Sequence, residues 1–344
     1  FSGSSTARNI SLTGVGANGF SGQQATITGG FANIDILVGS AADNDTLTGM
    51  DEDSVYTLGD GDNNTLLVSG FTLAFSGYEY LVGGSANDTF RLVGNASVSG
   101  GIDGGAGIDT LDYSGYDKGD GSGVTVNLLN GAATAIAGGK DGGILRLENL
   151  IGSQFNDILT GDNNANIIRG GSGDDMISGL GGDDTLDGGL GNDTLDGGTG
   201  SDTVDYSGNT SAGIEISLAL GLAVSVENVI GTDFNDVITG DDNANRLEGR
   251  GGDDEINGLG GNDTIIGGAG NDTFAFSGSG SIRVTLTAGP AAIPLITAVT
   301  PPVASPVLKT GFLLKSRHIT ATASIFRRRR RRRGTFAGTK QHAD

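Results

Sequence analysis

Asp175, Asp184, Asp193 and Asp202 stand nine residues apart, as do Asp254, Asp263 and Asp272, and each lies among glycines. Carboxylates so spaced have two chemistries open to them. Pairs such as Asp174–Asp175 could act as general acid and base, or several carboxylates could gather round a cation. A catalytic pair is needed once, whereas these acids recur in copy after copy, which points to a structural metal. Converging carboxylates repel unless a cation sits between them. Glycine-rich turns add exposed carbonyls, so the donor set would be all oxygen; six or more oxygens suit Ca²⁺, while Mg²⁺ demands a stricter octahedron and keeps its waters. The chain has no cysteine, and both histidines, His318 and His342, lie near its C-terminus, so the acidic region offers no zinc or copper ligands. It contains no HExxH or GxSxG motif, and catalysis within the chain is not expected.

The aspartates belong to nonapeptides. From Gly152 six units run without a slip: GSQFNDILT, GDNNANIIR, GGSGDDMIS, GLGGDDTLD, GGLGNDTLD and GGTGSDTVD. From Gly231 five more follow: GTDFNDVIT, GDDNANRLE, GRGGDDEIN, GLGGNDTII and GGAGNDTFA. All eleven begin with Gly, nine carry Asp and two Asn at position six, and all have Leu, Ile, Val or Phe at position eight. A longer period lies above this one. IDILVGS (34–40), YEYLVGG (78–84), LENLIGS (147–153) and VENVIGT (226–232) share an acid, two aliphatics and a glycine, and each leads into an Asn-Asp pair. GGAGIDTLDYSG (104–115) matches GGTGSDTVDYSG (197–208). The body reads as four copies of one module, the N-terminal ones degenerate, joined by strand-like spacers such as VTVNLL and IEISLAL.

Each unit divides into a six-residue turn, in which glycines adopt angles closed to other residues, and a three-residue strand with one apolar side chain inward. Two units complete a coil, so strands stack on two faces and repeat n meets repeat n+2. The predicted core is Ile168, Ile177, Leu186, Leu195 and Val204 in the first array, with Ile256, Ile265 and Phe274 in the second. One large apolar residue in nine is a thin core against the entropy of ordering so much glycine, so the turns must contribute. Glu79, Glu148 and Glu227 are read as surface or turn-bracing groups, and Tyr113 and Tyr206 as residues closing a rung.

Composition splits the chain. Residues 1–280 hold 60 of the 64 glycines and 40 of the 41 acids with eight basic residues, a formal charge of −32. This argues for cations as partners and against nucleic acid or anionic membranes. Residues 281–344 hold all five prolines and twelve basic residues, including Arg327 to Arg333. Seven arginines could bind phosphate groups of nucleic acid or lipid, but the abrupt change points to out-of-frame or added sequence, expected to be disordered or loosely attached. No apolar run is long enough to span a membrane. The chain starts at Phe1 with no apolar leader, and is expected to be a fragment or processed product.

These units resemble the GGxGxDxUx calcium-binding nonapeptides of RTX, or hemolysin-type, repeat proteins, cleanly over 152–205 and 231–275 and more weakly over about 30–115. The resemblance implies an all-β fold, a parallel β-roll or β-solenoid with Ca²⁺ between stacked turns. Such repeats occur in bacterial toxins, proteases, lipases, epimerases and adhesins exported from cytosol to exterior, so a secreted or cell-surface location is implied. The tail does not resemble the family's usual C-terminal secretion signal. Transferred residue by residue, the resemblance implies carboxylate ligands from Asp175, Asp184, Asp193, Asp202, Asp254, Asp263 and Asp272. It implies carbonyl ligands from Gly173, Gly182, Gly191, Gly200, Gly252, Gly261 and Gly270. Units with Phe155, Asn164, Phe234 or Asn243 at position four, or Asn166 or Asn245 at position six, are expected to bind poorly. Pairing unit 170 with 188, 179 with 197 and 249 with 267 leads to an expectation of at least three Ca²⁺ ions.

The expected organisation is degenerate repeats over 1–115, a spacer over 116–151, a first array over 152–208, a spacer over 209–230, a second array over 231–280 and the basic tail over 281–344. The expected function is a non-catalytic, calcium-folded segment of a larger exported bacterial protein, with a catalytic or adhesive partner domain elsewhere in that protein. An accessory module of a secreted protease, lipase or polysaccharide-modifying enzyme, and a calcium-stiffened spacer of an adhesin or surface-layer protein, are the alternatives; oligomeric state is left open.

Overall fold

The computed structural model describes residues 7–16, 19–24, 30–40, 44–137, 143–221 and 223–275, together with the backbone of three short strands beyond them. The expectations placed on His318, His342 and Arg327 to Arg333 fall outside the described residues, as does most of the tail. The fold is all-β and mostly parallel, as the nine-residue period requires. Among the described residues the helical pieces are two 3₁₀ turns, Asp60–Asp62 and Leu218–Leu220, and no helix is long and apolar enough to cross a membrane.

One sheet forms a spine. Strands Asp88–Gly94, Thr110–Tyr116, Asn149–Ile151, Ile167–Ser172, Thr185–Leu190, Thr203–Asp205, Asn228–Ile230, Arg246–Gly251 and Thr264–Ala269 follow one another in parallel. The alternate units build separate sheets. Thr125–Asn127, Ile158–Thr160, Met176–Ser178, Thr194–Asp196 and Ala223–Val224 make the first; Glu215–Ser217, Val237–Thr239, Glu255–Asn257 and Thr273–Ala275 make the second. Partners are offset by two nonapeptides, as in Ile168 with Leu186, Ile177 with Leu195 and Ile256 with Phe274. Two units therefore complete one coil. The spacers enter the roll as strands: Thr125–Asn127 and Glu215–Ser217 each found one of the alternate sheets.

Alternation along each strand sets the core. Ile168, Ile177, Leu186, Leu195, Val204, Ile256, Ile265 and Phe274 are all buried, as predicted. The residue before each points outward. Met176 is 56% exposed beside Ile177 at 1%. On the spine, strands such as Ile167–Ser172 and Thr264–Ala269 are six residues long, running on into the glycines of the next unit.

The N-terminal region departs from a plain roll. Ser54–Leu58, Asn64–Val68 and Phe71–Ser76 form an antiparallel meander on the spine sheet, and Asn9–Gly16 pairs antiparallel with Gly19–Gln24. The cause lies in the connections. Asp60–Asp62 and Ser69–Gly70 make tight reversals, not six-residue glycine turns, and the strands between them carry alternate buried residues Tyr56, Leu58, Leu66, Val68, Leu73 and Phe75. Tyr56 stacks on Phe90 with ring centroids 4.6 Å apart, joining meander to spine. Past the second array, Arg283–Leu286 adds to the spine and Leu295–Ile296 to the opposite sheet, so strand pairing outlasts the nonapeptide pattern.

The adjacent pair Met176 and Ile177 tests this packing. Ile177→Ala should destabilise the folded roll by roughly 2–5 kcal/mol, while Met176→Ala should change it by less than about 0.5 kcal/mol. Thermal unfolding of the two variants in Ca²⁺ checks the contrast.

Candidate metal centre

Six-residue turns join the strands, and their position-six aspartates turn inward. Asp175, Asp184, Asp202, Asp254, Asp263 and Asp272 are all buried, while Asp193 is half-buried. Burial follows from the turn: the position-one glycine leaves room for the carboxylate, and a Cβ on Gly170, Gly179 or Gly249 would collide with Oδ2 of Asp175, Asp184 or Asp254 respectively.

The carboxylates form ladders with the coil's 18-residue period. Oδ1 of Asp175 accepts from the Asp157 amide at 2.8 Å, and Oδ1 of Asp193 accepts from the Asp175 amide at 3.0 Å. On the other edge, Oδ1 of Asp184 accepts from Asn166 N and Oδ1 of Asp202 from Asp184 N, both at 2.8 Å. The second array repeats this, with Asp236 N donating to Asp254, Asp254 N to Asp272 and Asn245 N to Asp263. The pairs 175/193, 184/202 and 254/272 are thus stacked as the sequence pairing requires.

Only one oxygen of each carboxylate is used in the ladder. Oδ2 of Asp175, Asp184, Asp202, Asp254 and Asp263 is buried and accepts no hydrogen bond. Carbonyls of one turn face the turn above: a Cβ on Gly191, Gly200 or Gly270 would overlap the carbonyl oxygen of Gly173, Gly182 or Gly252 respectively. Gly191 and Gly200 have φ of 137° and 154°, so these two positions require glycine for both conformation and clearance. Gly261 lies in the same way over the Asn243 carbonyl. Among the described residues no three His, Cys, Asp or Glu side chains gather as a metal-holding group. The oxygen-rich spaces combine two stacked carboxylates with turn carbonyls.

The degenerate units are closed differently. Asp157 Oδ2 accepts from Ser153 N, and its Oδ1 from Ser153 Oγ and Val124 N. Asp236 is saturated in the same manner by Thr232 and Ile214. In the Asn units, Oδ1 of Asn166 and of Asn245 accepts from the amides of Asp162 and Asp241. A hydroxyl or amide inside the protein does in these turns what remains undone in the complete ones.

Burial also shifts the carboxyls of the complete units. Burial raises the carboxyls of Asp175 and Asp254 to about 7 and those of Asp184 and Asp263 to about 6; neighbouring carboxylates add to the rise, and one backbone hydrogen bond on each opposes it. Asp193, Asp202 and Asp272 are also raised, first by burial.

One set of residues escaped the spacing argument. Position five builds an outer ladder of opposite polarity: Asn192 N donates to Asp174, Ser201 N to Asp183 and Asn271 N to Asp253. The doubled Asp-Asp was the available signal. The glutamates brace turns from the next coil: Oε2 of Glu79, Glu148 and Glu227 accepts from the amides of Asp45, Asp109 and Asp202. Each stands where an excursion interrupts the ladder: the meander before Glu79 and the spacers before Glu148 and Glu227. Tyr113 is buried and donates its hydroxyl to the Thr134 carbonyl at 2.6 Å, closing its rung.

The RTX calcium-binding nonapeptide repeat family matches in four copies, at residues 148–177, 169–204, 226–256 and 239–274. No curated protein matches the chain. The matched stretches, 148–204 and 226–274, coincide with the two acidic arrays and the spine strands they carry, and these stretches of the chain carry RTX calcium-binding nonapeptide repeats.

Proposed function

We propose that this calcium-binding β-roll folds only when calcium is present, and serves as a non-catalytic segment of a larger exported bacterial protein. The observation that supports it best is the set of buried, unpartnered Oδ2 atoms on Asp175, Asp184, Asp202, Asp254 and Asp263. A buried carboxylate oxygen with no donor is costly unless countercharge is supplied. Ca²⁺, when bound, supplies that charge to an all-oxygen donor set. Asp175 and Asp193 with the carbonyls of Gly173 and Gly191 would hold one ion, and Asp184 and Asp202 with Gly182 and Gly200 a second. Asp254 and Asp272 with Gly252 and Gly270 would hold a third. Asp263 and Gly261 stand over Asn245 and Asn243, a weaker site at the array's edge. The saturated carboxylates of Asp157 and Asp236 mark turns that need no ion.

In low cytosolic calcium the body is an expanded polyanion suited to threading through an export channel, and external calcium closes the ladders. A site filled at about 100 times its dissociation constant adds roughly 2.7 kcal/mol to folding. The acids are engaged in backbone ladders, which favours a structural role over proton transfer. Activity and target therefore belong to a domain elsewhere in the parent protein.

Far-UV circular dichroism of the chain, titrated with Ca²⁺ and separately with Mg²⁺, should show a cooperative gain of β-structure with Ca²⁺ alone, reversed by chelator. A β spectrum unchanged between EDTA and Ca²⁺ would sink the folding switch.

Asp184→Asn keeps the Oδ1 acceptor and removes the charge. It should lower calcium stoichiometry by one ion and stability in saturating Ca²⁺ by roughly 2.7 kcal/mol, while Asp236→Asn should leave stoichiometry unchanged by calorimetric titration.

The raised carboxyls also fix a pH dependence. Their unfolded values lie near 3.9, so the metal-free roll gains stability fully below about pH 4 and loses it as pH rises through 6 to 7. In EDTA, β content should be greater at pH 4 than at pH 8, and because protons take over part of the cation's role in holding the roll, the Ca²⁺ needed for half-folding should fall as pH falls from 8 to 5.

A further inference from the structure

Turns 83–88 and 104–109 lie outside the matched repeats and stack in the manner of the complete units. Asp88 N donates to Oδ1 of Asp109 at 2.7 Å, the ladder bond of the arrays. The glycine contacts repeat as well. A Cβ on Gly105 would overlap the Gly84 carbonyl oxygen, one on Gly107 the Ala86 carbonyl oxygen, and one on Gly83 both the Gly104 carbonyl oxygen and Oδ2 of Asp88. Asp88 and Asp109 are each 1% exposed, and Asp88 Oδ1 and Asp109 Oδ2 are buried without a hydrogen-bond partner. Above them the Asp109 amide donates to Glu148 in place of a further aspartate.

The geometry points to an additional Ca²⁺ site between these two turns, held by the Asp88 and Asp109 carboxylates with the carbonyls of Gly84, Ala86 and Gly104. This rests on the calcium reading of the arrays but makes a separate claim about residues that no family repeat covers. Ala86 stands at position four, and 21 residues, not 18, separate the two aspartates, so a nine-residue count passes over the pair. Its place matters: the turn 83–88 leads into Asp88–Gly94, the spine strand that pairs with the meander strand Ser54–Leu58. An ion here would tie folding of the N-terminal region to the calcium that folds the roll.

Tyr56 makes the site readable. Its ring is buried and its hydroxyl donates to the Val82 carbonyl at 3.0 Å, one residue before the turn. The experiment uses the full chain, with Ca²⁺ in calorimetric titration and Tb³⁺ as a luminescent probe excited through tyrosine. Asp109→Asn should bind one Ca²⁺ fewer than wild type and lose much of the tyrosine-sensitised emission. Tyr56→Phe should lose the same emission with stoichiometry unchanged. Unchanged stoichiometry in Asp109→Asn, or unchanged emission in Tyr56→Phe, overturns the site. If Asp109→Asn fails to fold in Ca²⁺, the Tyr56→Phe emission decides. A wild-type chain that binds no Ca²⁺ would instead remove the reading of the arrays, a different failure.

Discussion

Buried carboxylates stacked one above another are the constraint on which the rest of this structure depends. Along the spine's edge, Asp88, Asp109, Glu148, Asn166, Asp184, Asp202, Glu227, Asn245 and Asp263 each precede a spine strand, and backbone amides link most neighbours through a side-chain oxygen. The ladder satisfies amides that a six-residue turn would otherwise leave unpaired. In doing so it buries an acid in several coils, and like charges at that spacing oppose each other. The atoms that hold the fold and the oxygens that would receive a cation therefore belong to the same side chains.

The long strands of the spine reflect that arrangement. Where turn and strand both hydrogen-bond to the next coil, pairing extends into the glycines, as in Thr185–Leu190. The opposite face does not hold one continuous sheet, because each spacer founds a new one at Thr125–Asn127 and at Glu215–Ser217. The result is one unbroken wall and several short panels, with position-eight side chains between them.

Much of this was legible in the sequence. A period of nine with an aliphatic at position eight fixes strands, coil size and core, because only an 18-residue repeat puts Leu186 against Ile168. The same period places Asp184 below Asp202. What was less legible depends on excursions that break the count. Asp109 and Glu148 are 39 residues apart, and Asp202 and Glu227 are 25 apart, yet each pair is adjacent in the ladder. A glutamate doing an aspartate's work after a spacer carries no periodic mark. The meander was missed because its strands alternate apolar residues without the glycine turn that sets the clock. The glutamates read as turn-bracing do brace, and Tyr113 closes its rung, since Glu148 and Tyr113 end on backbone groups of neighbouring turns.

The position-six ladder has a direction. Each amide is answered by the carboxylate of the coil that follows it in sequence, as Asp157 is by Asp175 and Asp175 by Asp193. The two ends of an array are therefore not equivalent. Removing an N-terminal coil frees a carboxylate oxygen, which water solvates readily; removing a C-terminal coil strands an amide in a buried turn. In a stack whose layers touch only their neighbours, that asymmetry makes the loss of a C-terminal coil costlier to the position-six ladder than the loss of an N-terminal one, so the two ends of the roll need different caps.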